Sequence, residues 1–255
     1  MSWEQNIVLK SPAEIELMRA AGRVNAAALA AVRGLIRPGV TTAELDAAAS
    51  EVITQHGGKP VFKGYGQPPF PATICASVND ELVHGIPGKR KLKEGDIISV
   101  DCGTLLDGFV GDSAFTAGVG EISANAAKLL EVTERALFEG IEMMRVGKRS
   151  GDVSAAIQRL VESHGLHVVR EYTGHGVGRQ MHEGPQVPNY GTPGRGVPLR
   201  SGMTIALEPM VLVGTPRTRV LADQWTVASA DGSLTAHFEH SVAVTDGDPL
   251  ILTLP

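Results

Sequence analysis

One pattern in this chain is written twice, and that repetition constrains its fold more than any other feature. Gly95-Asp96-Ile97-Ile98-Ser99-Val100-Asp101 and Gly202-Met203-Thr204-Ile205-Ala206-Leu207-Glu208 share a glycine, an apolar strand-like run and a terminal acid, 107 residues apart. Arg37-Pro38-Gly39-Val40-Thr41-Thr42-Ala43-Glu44-Leu45-Asp46-Ala47-Ala48 resembles Arg145-Val146-Gly147-Lys148-Arg149-Ser150-Gly151-Asp152-Val153-Ser154-Ala155-Ala156, displaced by 108. Each of these second helices runs to a His-Gly stop, at His56-Gly57 and His164-Gly165, and a first helix precedes each, over about 12–35 and 124–145. We read two helix–helix–strand halves, approximately 12–115 and 124–245, packed about a pseudo-twofold axis within a single domain of residues 1–255. Chance similarity between amphipathic helices is the alternative.

The helix starts are written in capping chemistry. Ser11-Pro12-Ala13-Glu14 and Thr41-Thr42-Ala43-Glu44 are capping boxes, the first with proline at the first helical position. The third and fourth helices fall near 124–145 and 151–164. Strand-like segments lie near 72–78, 97–102, 109–116, 167–173, 203–213, 219–229 and 234–244. Helices and strands in this order predict an α+β fold with a largely antiparallel sheet. Residues 184–200 hold four prolines and four glycines, which predicts a stiff, shaped loop.

The acids of the repeat place a cluster at the centre of that fold. Asp107-Gly108 signals a tight hairpin, and its register pairs Asp101 with Ala114, leaving Asp112 the diagonal neighbour of Asp101 on one face. Diagonal Cα atoms are roughly 7–8 Å apart, a span that lets two carboxylates reach a metal pair about 3.5–4 Å apart. Two bare acids on a buried face are costly without a cation, whereas on a water-facing strand they mean nothing. Glu208 ends the repeated strand. In Leu234-Thr235-Ala236-His237-Phe238-Glu239-His240, alternation puts His237 and Glu239 on one face and leaves His240 pointing outward. His175 stands between glycines in Tyr172-Thr173-Gly174-His175-Gly176, where the backbone can aim one side chain. Asp101, Asp112, His175, Glu208 and Glu239 are oxygen and nitrogen donors with no thiolate, a set suited to two divalent metal ions sharing bridging carboxylates. Cobalt, manganese, iron and zinc all suit such donors.

Other chemistries find no support. Gly174-His175-Gly176-Val177-Gly178 has no helix start after it and no P-loop lysine, so it is no phosphate loop. His182-Glu183 lacks the second histidine of HExxH, since position 186 is Gln and Pro185 would break the helix. Cys75 and Cys102 form no CxxC pair, and there is no GxSxG elbow. His56, His164 and His167 read as helix-end or surface residues. Net charge of −5 gives no footprint for a specific nucleic acid, and no run approaches the roughly 18 apolar residues of a membrane span. No signal peptide opens the chain, so we expect a cytoplasmic protein.

Five motifs, in order, resemble type I methionine aminopeptidases. They are Asn79 to Pro87 around His84, Gly95 to Asp112, Thr173 to Pro185, Ala206-Leu207-Glu208-Pro209-Met210 and Phe238-Glu239-His240. The resemblance covers about residues 10 to 250. Only 26 positions separate His182 from Glu208, too few for the helical insert of type II enzymes, and no zinc-binding or proline-rich extension precedes the first helix. It therefore looks like the short bacterial form. The resemblance implies the pita-bread fold, a catalytic domain and removal of initiator methionine from nascent chains with a small second residue. It implies one metal held by Asp112, His175, Glu208 and Glu239, and another by Asp101, Asp112 and Glu239. Glu208 would carry the proton, and His84 and His182 would hydrogen-bond the scissile amide and its tetrahedral intermediate. Tyr65, Phe70, Cys75, Met181 and Trp225 would line the methionine pocket together with His84 and His182. Two departures alter the pocket: a longer loop over Gly64 to Phe70 with Phe70 in place of a tyrosine, and Met181 in place of phenylalanine. The implied partners are nascent polypeptide N-termini met by a monomer. A transient ribosome contact would use the one basic cluster, Gly88-Lys89-Arg90-Lys91-Leu92-Lys93, which is otherwise a solvated turn. Two other readings stay open: an Xaa-Pro peptidase of the same fold, and a silent pita-bread binder.

Overall fold

The computed structural model describes residues 7–255. The first half carries helices α1 (Pro12–Leu35) and α2 (Thr42–Gln55), and strands β1 (Lys59–Pro60), β2 (Ile74–Val78), β3 (Glu81–Val83), β4 (Ile97–Leu106) and β5 (Phe109–Gly118). The second half opens with helices α3 (Ala124–Glu142) and α4 (Ser150–Ser163) and strands β6 (His167–Val168), β7 (Thr173–Gly176) and β8 (Glu183–Pro188). It continues through β9 (Thr204–Leu207), β10 (Met210–Leu212), β11 (Thr218–Val220), β12 (Val227–Ser229), β13 (Thr235–His237), β14 (Glu239–Ala243) and β15 (Leu250–Ile251).

Capping chemistry decides where the helices start. Glu14 accepts the Ser11 backbone N–H at 2.8 Å and Glu44 accepts that of Thr41 at 2.7 Å, closing both expected boxes. Asp152 does the same for Arg149 at 2.8 Å, 108 residues after Glu44. α3 stops at Glu142, a few residues short of the expected 145.

The duplication is visible in hydrogen bonds. Thr42 N–H donates to Arg90 O and Ala43 N–H to Gly88 O; in the second half Ser150 N–H donates to Val197 O and Gly151 N–H to Arg195 O. Each second helix is thus pinned by an equivalent loop, so the basic turn at 88–93 has a structural duty. The antiparallel sheet has the same symmetry: β2–β4–β5 meets β14–β9–β7 edge to edge, with the axis between β5 and β14. Apolar side chains of all four helices close one face of this sheet into the main core, among them Leu45, Ile53, Leu129 and Ile157. α1 reaches the sheet at a glycine pair: a Cβ on Gly111 would lie 2.6 Å from Gly22 N. Beside that crossing Asn25, fully buried, donates to Ser113 and accepts from Thr104, both at 2.8 Å.

Several strand-like segments break where one strand was expected. Residues 203–213 divide at Glu208-Pro209 into β9 and β10, which belong to different sheets, and 234–244 divide at Phe238 into β13 and β14 in the same way. Proline has no N–H to continue a ladder, so the chain leaves the large sheet directly after the acid. Residues 219–229 form a hairpin, β11 and β12, whose turn is held by Asp223. Residues 167–173 contain only β6 and the start of β7. The expected loop 184–200 begins as strand β8 at the end of the large sheet, an edge position that tolerates Pro185 and Pro188. Among the described residues no helix is long and apolar enough to cross a membrane.

Candidate metal centre

Five neighbouring strands, or their ends, bring the five candidate donors together. Register sets Cys75 opposite Asp101, Asp101 opposite Ala114, and Ala114 opposite Glu239, so these residues form one row across β2, β4, β5 and β14. Asp112 pairs with Gly103 and stands two residues from Ala114, hence on the same face, diagonal to Asp101 as the hairpin turn required. Asp107 and Gly108 take φ of 48° and 80°, the left-handed pair a two-residue turn needs. Glu208 follows the last residue of β9, and His175 on β7 pairs with Ala206. Ser241 clamps the backbone of Asp112, donating from its hydroxyl to Asp112 O at 2.8 Å and accepting Asp112 N–H at 3.1 Å.

The charges are crowded and dry. Asp112 is 1% exposed and Glu239 2% exposed. Burial, then repulsion from neighbouring carboxylates, raises Asp101, Glu208 and Glu239 well above the usual carboxylate range, and burial carries Asp112 up to about 7. Burial pulls His175 down to about 3, so the ring is neutral. Its Nδ1 lies 2.9 Å from Gly176 O, which places the single proton there. Nε2 then aims a lone pair at carboxylate oxygens, 3.5 Å from Glu208 and 3.8 Å from Asp112. Lone pairs facing lone pairs call for a cation between them. Asp101 Oδ1, Asp112 Oδ1 and Glu239 Oε1 are also buried without a hydrogen-bond partner. The donor set therefore fits divalent metal, and Asp112, His175 and Glu239 stand close enough together to ligate one ion.

Above the donors lies a cavity of about 130 Å³, lined by every residue singled out from the sequence: Tyr65, Phe70, Cys75, His84, Asp101, Asp112, His175, Met181, His182, Glu208, Trp225 and Glu239. That is close to the ~150 Å³ that encloses one benzene ring, so it admits a single mid-sized side chain. Phe70 meets Trp225 edge-on at 5.2 Å, and the Trp225 indole donates to Pro68 O at 3.0 Å, which joins the Gly64–Phe70 loop to the β11–β12 hairpin. His84 takes φ of 61°, an uncommon backbone for histidine, with its ring edge-on to Trp225 at 6.1 Å. Burial lowers His84 to about 4 and also lowers His182, so both rings are neutral and each can donate one N–H. The Cys75 thiol is pushed well up by burial and then by Asp101, so it stays protonated.

Two residues escaped the sequence reading. Phe62 also lines the cavity, and no motif marks it. His237 is 1% exposed, neutral, and directs Nε2 to within 3.6 Å of Glu208 and 3.7 Å of Glu239. Alternation had set His237 on the face of Glu239, and that was the available signal. His240 departs from expectation in another way. It points away from the donors, yet it lies half-buried on the helix side of the sheet, hydrogen-bonded to Thr253 at 2.8 Å.

Known proteins resemble this chain over nearly its whole length. The sequence pattern of metallopeptidase family M24 matches residues 16–246. The methionine aminopeptidase of Clostridium perfringens is 51% identical over 249 residues, covering 97% of this chain and 99% of that protein. Methionine aminopeptidase 1 of Bacillus subtilis is 50% identical over 247 residues, covering 97% and 99%. The crystal structure of methionine aminopeptidase from Thermotoga maritima superimposes with a TM-score of 0.95 at 48% identity, covering 98% of this chain and all of that one. Prolidase from Pyrococcus furiosus shares the fold at a TM-score of 0.79 and 20% identity, and this chain spans 66% of its length.

Proposed function

Because the chain belongs to metallopeptidase family M24, we propose that it is a methionyl aminopeptidase, which hydrolyses the initiator methionine from nascent proteins and peptides with a small second residue. The observation that carries this reading is the cluster of carboxylates and one lone-pair imidazole beneath a cavity of side-chain size. We assign 1–255 to one catalytic domain, of which 1–6 lie outside the described residues, with halves of approximately 12–115 and 124–245.

The site would take two metal ions: Asp112, His175, Glu208 and Glu239 would hold one, and Asp101, Asp112 and Glu239 the other. When bound, these ions supply Lewis acidity, polarising the scissile carbonyl and acidifying the attacking water. The chain's own residues do the rest. Tyr65, Phe70, Cys75, Met181 and Trp225 take the substrate side chain, whose unbranched thioether suits an apolar, aromatic-rimmed wall. Glu208 accepts a proton and returns it to the leaving amine. His84 and His182 donate to the scissile amide and to the charge that develops on its oxygen. The substrate is a free N-terminus in the cytoplasm, met by a monomer; a brief ribosome contact through Lys89, Arg90, Lys91 and Lys93 is compatible with their exposure.

The test is release of free methionine from Met-Gly-Met by metal-free protein titrated with manganese, iron, cobalt or zinc, beside a Gly-Pro dipeptide. Metal-dependent release that stops after one residue, with Gly-Pro untouched, is expected. Cleavage of Gly-Pro alone would make the enzyme an Xaa-Pro peptidase. No turnover with any metal, in folded protein, would leave a peptide binder.

A further inference from the structure

The hydroxyl of Tyr65 lies 2.7 Å from Nδ1 of His182, with 5.4 Å between ring centroids. Tyr65 is held there by its own loop. Its N–H donates to Phe62 O at 2.9 Å, and Phe70 N–H donates to Tyr65 O at 2.8 Å. Gly66 follows at φ 73°, with the Trp225 indole filling the space a Cβ would need, 2.5 Å away. The other partner is held from the opposite side. Glu183 accepts the backbone N–H of Arg179 at 2.8 Å and of Gln180 at 3.2 Å, which closes the turn that carries Met181 and His182.

A neutral imidazole has one proton and two nitrogens, and its partners decide which nitrogen keeps it. A phenol is a much stronger acid than a neutral imidazole N–H, so in this pair Tyr65 donates and Nδ1 accepts. The proton of His182 then resides on Nε2. That nitrogen has no hydrogen-bond partner among the described residues, and the ring lines the cavity beside His175, 4.2 Å away between centroids.

We propose that Tyr65 is a positioning residue, whose hydroxyl holds His182 in its Nε2–H form so that the imidazole offers the substrate a donor rather than a lone pair. The catalytic consequence rests on the aminopeptidase reading, since an oxyanion would be repelled by a bare Nε2. The hydrogen bond itself does not depend on that reading.

The experiment compares wild-type protein with Tyr65→Phe, both loaded with diamagnetic zinc and carrying 15N-labelled histidine. In wild type, the Nδ1 signal of His182 should be that of an unprotonated ring nitrogen and the Nε2 signal that of a protonated one. In Tyr65→Phe the two forms should mix, with circular dichroism and zinc affinity unchanged. On Met-Gly-Met, Tyr65→Phe should lower kcat about 3- to 10-fold, the worth of one neutral hydrogen bond, with KM held within about twofold. His182→Ala should lower kcat by about 10²–10³-fold, and adding Tyr65→Phe to it should cost nothing more. A wild-type His182 protonated on Nδ1 would overturn the proposal. So would an equal loss from Tyr65→Phe in the His182→Ala background, because Tyr65 would then act without the imidazole. If no peptide is cleaved under any metal, the aminopeptidase reading fails, and the nitrogen spectra still decide the hydrogen bond.

Discussion

Lys10 and Glu183 form an ion pair across 173 residues, and it is almost wholly withdrawn from water, with side chains 2% and 7% exposed. The segment before α1 thereby grips the turn that carries Met181 and His182. Glu183 also accepts two backbone N–H groups there, while Lys10 donates a second bond to Val8 O at 3.1 Å. Removing one partner strands the other charge in a dry place, which costs about 3–5 kcal/mol. Lys10→Met should therefore lower the urea midpoint sharply, and Lys10→Met with Glu183→Gln should recover part of that loss. A double variant as unstable as the sum of the single ones would show that the two charges do not interact.

Glu208→Gln keeps the shape of the side chain and removes its capacity to carry a proton. Turnover should fall by at least about 10²-fold, with the fold intact by circular dichroism. Near-wild-type turnover from folded, metal-loaded Glu208→Gln would sink the proton-carrier assignment.

Stripping the metal should make stability depend on pH above neutrality. Burial raises the folded-state values of Asp101, Glu208 and Glu239, and carries Asp112 to about 7. In metal-free protein these carboxyls keep protons that the unfolded chain has released, so stability declines as pH rises from about 4 through their folded values. His84 at about 4, and His175 and His237 at about 3, act in the opposite sense. Folded, these rings stay neutral where the unfolded chain would protonate them, so their contribution is complete above about 6.5. The two sets offset each other in mild acid, and only the carboxyls remain above it. The melting temperature of chelated protein should fall between about pH 6.5 and 8, and added divalent metal should flatten the slope. A flat metal-free profile would mean that the carboxyls are not crowded in solution.

Gly111→Ala tests how α1 is seated. The new methyl would meet the backbone of Gly22, at 2.6 Å from N and 2.7 Å from Cα, and no rotamer change relieves that. α1 must lift from β5 one residue before Asp112, at a cost of about 1–3 kcal/mol for overpacking. Calorimetry should show a lower melting temperature together with weaker metal binding. An unchanged metal affinity would show that the helix seat and the donors are uncoupled.

Much of the centre was legible because its determinants are local. Asp107-Gly108 dictates a two-residue turn, and the two-residue period of a strand then places Asp112 diagonal to Asp101. The repeated Gly-strand-acid pattern announced Glu208, and duplicated capping announced the helices. Steric rules between neighbouring residues act wherever those residues occur, so they can be read before the fold is known. The points where strands end were less legible. Pro209 does mark the break between β9 and β10, but β13 and β14 separate at Phe238, where no proline or glycine interrupts the strand-like run. A strand ends where its partner ends, and the partner lies elsewhere in the chain.

By itself, then, the sequence determined the duplicated halves, the helix starts, the hairpin register and the strand positions of the five candidate donors. Tertiary structure alone decided that Tyr65 meets His182, that Lys10 meets Glu183, that Phe62 joins the pocket wall and that His237 closes on Glu208. Those contacts join residues whose own backbone preferences carry no trace of the partner. They exist because packing brings distant side chains within a few ångströms, where short-range forces and desolvation first begin to act.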